Sequence, residues 1–234
     1  MSVPESENGV SLDRPVWPSL ASFHARLSIG GPLARRYASD VNLFASARDD
    51  TQPALAALAA LVQDTEQVYL LQVPAILVPP GVIALKQAKG VQMVARGSFQ
   101  ALAGKEEIVR LTDADAPEML ALAKLTEPGP FRARTHHMGT FIGIRIEGRL
   151  AAMAGERFRF RGYTEVSGVC THPAFRGRGL ARRLSAAVAA GIEARGERPF
   201  LHAWSTNRAA ISLYESLGFE LRSEVNVAVF EPAR

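Results

Sequence analysis

Apolar residues recur at helical spacing around Ser19–Leu27 and Pro53–Val62, the second stretch rich in alanine and leucine. Between and after them, Gln67–Val73 and Val91–Ala95 are short apolar runs of strand character. The first half therefore predicts a mixed α/β unit. Ala103-Gly104-Lys105-Glu106-Glu107 is a polar break, and a boundary is placed there, giving an amino-terminal α/β region over 1–105 and a second domain over 106–234. Beyond it, Ile108–Leu111 restarts a strand and Asp113–Lys124 reads as a helix capped by Thr112 or Asp113, with Pro117 in its first turn. Pro128-Gly129-Pro130 forces a loop. Phe141–Ile146 and Arg149–Ala154 form a hairpin across Glu147-Gly148, and Ala154–Phe160 continues its second strand. Thr164–Thr171 is the next strand. Strict alternation puts Glu165, Ser167, Val169 and Thr171 on one face and Val166, Gly168 and Cys170 on the other. A helix then carries Leu180, Leu184, Val188 and Ile192 on one stripe and stops at Gly196. Phe200–Trp204 is a strand, Asn207 caps a short helix with Ala210, Leu213, Tyr214 and Leu217 on one face, and Leu221–Phe230 is a last strand with Leu221, Val225, Val227 and Val229 inward.

With 234 residues, 47% of them apolar, the chain can bury a substantial core. Its net charge of +4 permits anionic ligands, but it lacks the blocks of Lys and Arg that mark a nucleic-acid tail. The single cysteine, Cys170, excludes an internal disulfide and fits a reducing compartment. Met1–Gly9 is polar and acidic, unlike a signal peptide, and the apolar stretch Val73–Leu85 is broken by prolines and too short to span a bilayer. The expectation is a cytoplasmic protein, monomer or homodimer, with no nucleic-acid or membrane partner.

The densest chemistry lies in His172-Pro173-Ala174-Phe175-Arg176-Gly177-Arg178-Gly179-Leu180-Ala181-Arg182-Arg183, between a strand and a helix. Glycines bring backbone close to an anion, helix-start N–H groups lack intrahelical partners, and the helix dipole adds positive potential, so the segment suits a phosphate. Arg176, Arg178, Arg182 and Arg183 add charge. A Walker loop would need Lys-Ser or Lys-Thr where Leu180-Ala181 stand. A dinucleotide fingerprint would need a small residue at Arg182 and glycines starting at the strand end.

What remains is Arg/Gln-x-x-Gly-x-Gly/Ala, matched by Arg176, Gly179 and Ala181. Together with Asn207-Arg208-Ala209-Ala210-Ile211-Ser212-Leu213-Tyr214-Glu215-Ser216-Leu217-Gly218-Phe219, it makes the chain resemble the GCN5-related N-acetyltransferases, and within them the FR47-like branch, over roughly 108–230. The resemblance implies a GNAT-like α/β (α+β) fold, a mixed and mostly antiparallel sheet flanked by helices. It further implies that the strands Thr164–Thr171 and Phe200–Trp204 splay to admit the pantetheine arm of acetyl-CoA. Backbone at Val169, Cys170 and Thr171 would pair with that arm, the N–H groups from Gly177 through Arg178, Gly179, Leu180 and Ala181 to Arg182 would hold the pyrophosphate beside Arg176, and Asn207 and Ala210 would contact the coenzyme. The Val169 N–H would polarise the thioester carbonyl.

Acyl transfer to an amine needs a free amine, an oxyanion donor and a proton for the thiolate. Glu165, on the expected face of Val169, is the candidate base, set against a solvated strand-edge charge. Tyr214, at the position of the tyrosine in similar enzymes, is the candidate acid, set against a core tyrosine. Cys170, on the opposite face, reads as a buried thiol. Adjacent His136 and His137 have no carboxylate partner in ligand spacing, so no metal is assigned. The expected reaction is acetyl transfer from acetyl-CoA to a small-molecule primary amine. Alternatives are a coenzyme-binding sensor without turnover and a protein N-acetyltransferase. The loop 128–137 is expected to shape the acceptor site, with Arg132 or Arg134 receiving a carboxylate or merely solvated, and Arg157, Arg159 and Arg161 marking an outer strand face. The resemblance admits a degenerate second copy of the fold in the amino-terminal half.

Overall fold

A computed structural model describes residues 11–63, 67–100, 102 and 104–233. The readings of Met1–Gly9 and of Ala103 lie outside these residues. An eight-stranded sheet runs through the molecule in the order β4(Val68–Gln72), β11(Phe219–Pro232), β5(Val82–Ala95), β10(Arg198–Trp204), β9(Tyr163–Thr171), β8(Arg149–Phe160), β7(Phe141–Ile146), β6(Ile108–Arg110). Every neighbouring pair is antiparallel except β9 with β10. Strands from both sides of residue 105 thus share one sheet. A smaller three-stranded sheet, β1(Ser28–Gly30), β2(Ala34–Tyr37) and β3(Ala45–Ala47), joins helices α1(Val16–Ala21) and α2(Gln52–Gln63) in the amino-terminal region, which is mixed α/β.

Both faces of the large sheet are covered, which is why β8 is buried over most of its length. Helix α4(Leu180–Glu193) presents Leu180, Leu184, Val188 and Ile192 to one face, as their spacing predicts, and packs with Ala152, Ala154, Val166 and Leu201. On the other face, α3(Ala116–Thr126) packs Met119, Leu122 and Ala123 with Met153, Phe141 and Cys170. The amino-terminal region covers the same side farther along, through Val16, Leu20, Tyr37 and Phe44 against Phe158 and Phe200. Thr112 starts the segment before α3 with a capping box to Asp115, and the β7–β8 turn puts both Glu147 and Gly148 at positive φ, the two-residue geometry that matches strand twist.

Four expectations need correction. The first helix runs over Val16–Ala21 and not Ser19–Leu27, because Pro15 and Pro18 are tolerated at its start, while the chain turns at Ser22 and re-enters only a short 3-10 turn at Ala25–Leu27. Strand β5 extends back from Val91 to Val82; its polar residues Lys86, Gln87 and Lys89 sit on the exposed half and hide the strand from an apolar scan. Leu221 is 63% exposed, because a bulge between Leu221 and Ser223 reverses the facing of the strand before Val225, Val227 and Val229. Arg157 and Arg159 are half-buried, paired with Glu165 and Glu197, and do not mark an outer face.

Leu184 is fully buried between α4 and the sheet. Leu184→Ala is expected to lower unfolding free energy by about 2–5 kcal/mol in denaturant titration, as core cavity formation does.

Candidate active site

Strands β9 and β10 pair in register only at Tyr163, Thr164 and Glu165 with Arg198, Pro199 and Phe200. Past that point they separate, and a cavity of about 800 Å³ opens between them. Its wall on one side is the stretch Val166–Thr171; on the other are His202, Ala203 and Trp204. Gly168 is the reason β9 can bend away. It has φ +61°, and a Cβ there would lie 2.9 Å from the Phe141 ring, so only glycine fits. The extra residue also breaks the β8–β9 register between the Met153 and Gly155 pairings.

This bulge overturns the alternation expected from sequence. Val166 and Val169 both pack toward the α4 core, whereas Cys170 faces α3. Glu165 does not share a face with Val169. Its carboxylate is fully buried, takes a two-pronged interaction from Arg157 (Nε 2.7 Å, Nη2 2.6 Å) and accepts from His202 Nδ1 at 2.7 Å. Burial alone would raise its pKa; the Arg157 guanidinium, followed by His202, outweighs it and brings the value down to about 2. Glu165 is therefore held ionised with both oxygens engaged, and it is not among the residues lining the cavity. The role of a base meeting an amine does not fit this geometry.

An ionised carboxylate only accepts, so His202 carries its proton on Nδ1, and its Nε2 then accepts from the Gln92 amide at 3.0 Å. Burial pushes the His202 pKa down, keeping the imidazole neutral. Gln92 in turn donates to the Leu12 carbonyl at 2.8 Å and accepts from Arg222 at 2.9 Å, and Arg222 reaches Asp13 at 2.7 Å. A buried polar chain thus runs from the amino-terminal region to the fork of the two strands. Arg157 and His202 were missed as site residues, since they lie eight and 37 positions along the chain from Glu165, the partner on which their roles depend.

At the other end of the cavity, Arg176, Gly177, Gly179, Leu180, Ala181 and Arg182 line the wall. Gly177 and Gly179 adopt φ +78° and +73° with open space where a side chain would project, and the start of α4 has no side-chain cap. Its N–H groups are thus available to an anion. The arginines divide. Arg182 is steadied by Ser216, Arg178 lies over Phe175 at 5.4 Å outside the cavity wall, and Arg183 turns away to Glu106 at 2.9 Å, so the side-chain charges of Arg178 and Arg183 are directed away from the cradle. Thr171 Oγ1 is buried in this region without a hydrogen-bond partner, a polar atom in want of a ligand.

Asn207 caps α5(Arg208–Glu215) by accepting from the Ala210 N–H at 3.1 Å, and Asn207, Ala210 and Tyr214 all line the cavity. Burial, followed by the charge of Glu165, raises the Tyr214 pKa to about 12, which keeps the phenol protonated. Cys170 is a buried thiol pushed up to about 11 by its burial, which makes it a poor nucleophile.

The acceptor loop differs from expectation as well. Pro128, Gly129 and Pro130 do line the cavity, but Arg132 donates to the Ser39 carbonyl and Arg134 pairs with Asp40, so neither faces it. His136 and His137 donate from Nε2 to one oxygen of Asp113, at 2.7 and 3.0 Å. The pair thus has a carboxylate partner, far upstream in the chain, that spacing did not reveal. The three donor atoms lie within 4.8 Å of one another. His136 Nδ1 is buried without a partner, whereas a metal-bound imidazole ordinarily passes its second N–H to a carbonyl or carboxylate. As arranged, the cluster fastens the Thr135–Met138 turn to the start of the α3 segment.

The FR47-like protein family matches residues 141–228. The structure of a GNAT-family protein from Novosphingobium aromaticivorans is 44% identical, covering 95% of this chain and 99% of its own, with a TM-score of 0.88. Two more distant structures share the fold: a GCN5-related N-acetyltransferase from Kribbella flavida (17% identity, 94% and 95% covered, TM-score 0.63) and a GCN5-related N-acetyltransferase-like protein from Streptococcus suis (14%, 97% and 98%, 0.55). No curated protein matches. The chain belongs to the GCN5-related N-acetyltransferase (GNAT) family and is a GNAT-type acyltransferase. No helix among the described residues is long and apolar enough to cross a membrane.

The depressed pKa of Glu165 gives a signed prediction. A carboxylate at about 2 when folded and near 4.5 otherwise contributes stability above pH 4.5 that is lost as pH falls toward 2. Glu165→Gln is expected to cost about 3–5 kcal/mol at pH 7 by leaving Arg157 unpaired, and to flatten the loss of stability between pH 5 and 2. Denaturant melts across that range measure both.

Proposed function

We propose that the protein transfers the acetyl group of acetyl-CoA to the primary amine of a small molecule, by direct attack of the amine. The observation that carries this reading is the continuity of the cavity, which leads from the Gly177–Arg182 cradle past Val169 and Tyr214 to a chamber walled by the amino-terminal region. The residues present fit the coenzyme: two open glycines at positive φ, a helix start without a side-chain cap, Arg176 and Arg182, and the orphaned Thr171 hydroxyl.

When bound, acetyl-CoA supplies an activated thioester; this chain's residues do the rest. Backbone at Val169 and Thr171 aligns the pantetheine arm as an added strand along β9, and the Val169 N–H donates to the thioester carbonyl, where negative charge develops. Cys170 contributes backbone alone, since its side chain packs against α3. Tyr214 gives its phenolic proton to the departing thiolate as the new C–N bond forms and the C–S bond breaks. The proton shed by the amine restores the phenol, so none is consumed overall. Glu165 is a positioning residue: it fixes the fork, and its charge helps to keep Tyr214 protonated. The division near residue 105 belongs to the same proposal, with the amino-terminal region building the acceptor wall through Phe44, Tyr69 and Leu71.

Free-thiol release from acetyl-CoA across an amine library tests the reading; tight coenzyme binding with no turnover on any amine would instead indicate a sensor. Tyr214→Phe is expected to lower kcat about 100-fold or more while leaving the KM for acetyl-CoA within about twofold, in steady-state kinetics. Unchanged turnover would remove the acid role.

A further inference from the structure

The acceptor end of the cavity has a definite chemistry. Its walls away from the cradle are Phe44, Tyr69, Leu71, Val225 and Val227, two aromatic and three branched aliphatic side chains. Phe44 and Tyr69 meet edge to face at 5.9 Å, forming one continuous aromatic corner. The one guanidinium there, Arg157, is already neutralised by Glu165 through Nε and Nη2, and its plane lies over the rings of Phe44 at 4.8 Å and Phe158 at 4.5 Å. It presents a flat, charge-balanced surface and not a free cation. Arg132 and Arg134, which could have received a carboxylate, are turned to Ser39 and Asp40. The only carboxylate among the described lining residues is Glu127, exposed at the end of α3. Its left-handed backbone, φ +48° and ψ +54°, is the cap that ends α3, with its N–H bonded to the Ala123 carbonyl at 2.8 Å, and it fixes where the side chain leaves the helix.

From these features we propose that the acceptor is an amine carried on an aromatic or branched apolar body, without a carboxylate beside the amine, and that Glu127 receives its ammonium group. This rests on the acyltransferase reading above and narrows it to a substrate class. The apolar body occupies the corner of Phe44, Tyr69 and Leu71, where water is displaced from apolar surface. Glu127 attracts the cation, takes one proton from it and, being exposed, passes that proton to solvent, leaving the free amine to attack; the second N–H proton, shed after attack, is the one that restores Tyr214. A carboxylate on the neighbouring carbon would meet Glu127 and an arginine whose charge is already balanced, and would lose its hydration without a partner.

Thiol release with the full chain and acetyl-CoA, using matched amines, tests this. 2-Phenylethylamine and 3-methylbutylamine are expected to exceed both L-phenylalanine and ethanolamine in kcat/KM by about tenfold or more, the scale on which pocket contacts discriminate. Tyr69→Ala, at a half-buried position, and the milder Phe44→Leu are each expected to raise the KM for 2-phenylethylamine several-fold while that for acetyl-CoA stays constant. Glu127→Gln is expected to raise the same KM and shift its pH dependence. A preference for L-phenylalanine or ethanolamine, or apolar-amine KM values untouched by Tyr69→Ala and Phe44→Leu, would overturn the proposal while leaving acyl transfer intact. Acetyl-CoA binding by calorimetry with no turnover on any amine would overturn both.

Discussion

At the point where β9 and β10 stop pairing, a carboxylate is buried completely, and its environment explains why the strands part there and go no farther. Glu165 is the last β9 residue in register with β10, opposite Phe200. Two residues on, His202 reaches back across the opening to the same carboxylate, while Arg157 clamps it from β8. Removing a carboxylate from water is costly, so the arrangement persists only because charge and hydrogen-bonding capacity are both met. Backbone pairing is replaced at the fork by a side-chain cross-link. The strands are joined below it and free above it, and the cavity begins where the cross-link ends. The same negative charge reaches Tyr214 and adds to the burial that keeps its phenol protonated. One buried carboxylate therefore both shapes the opening and adds to the raised pKa of the proposed acid.

The cavity is a joint product of distant parts of the chain. The glycine turn and the Asn207–Tyr214 segment come from one stretch of sequence; the proposed acceptor walls come from Phe44, Tyr69 and Leu71 in the amino-terminal region and from Val225 and Val227 near the end. Strand β11 makes this possible by inserting between β4 and β5, so that the last strand holds the amino-terminal strands in the main sheet. The polar chain from Asp13 through Arg222, Gln92 and His202 to Glu165 fastens the same region to the fork. The proposed acceptor wall and donor slot are thereby fixed in one frame, which would set the orientation of the reacting groups before either ligand arrives.

Much of this was legible in the residues themselves. The α4 stripe, the caps at Thr112 and Asn207, the β7–β8 turn and the glycine turn before α4 rest on contacts within a few residues, and each of these local structures stands as its spacing predicts. Readings that required a strand to keep strict alternation failed at bulges. One extra residue near Gly168 separated Glu165 from Val169, and another near Arg222 turned Leu221 to solvent. Arginines were read by sign alone, yet Arg183, Arg132 and Arg134 are drawn off by Glu106, Ser39 and Asp40, partners that sequence distance conceals.

By itself, then, the sequence determined the family and the backbone geometry of the proposed donor site, because that geometry is written in two closely spaced glycines, Gly177 and Gly179, and a helix start. The tertiary structure decided which charges remain available and what the acceptor meets. Arg157 is spent on Glu165 and overlaid on aromatic rings, and the apolar corner of Phe44, Tyr69 and Leu71 exists only once β4 joins β11 in the sheet. Local hydrogen bonding fixes what neighbours along the chain can do, whereas burial and pairing across the fold fix the electrostatic state of each group, and that information has no local signature.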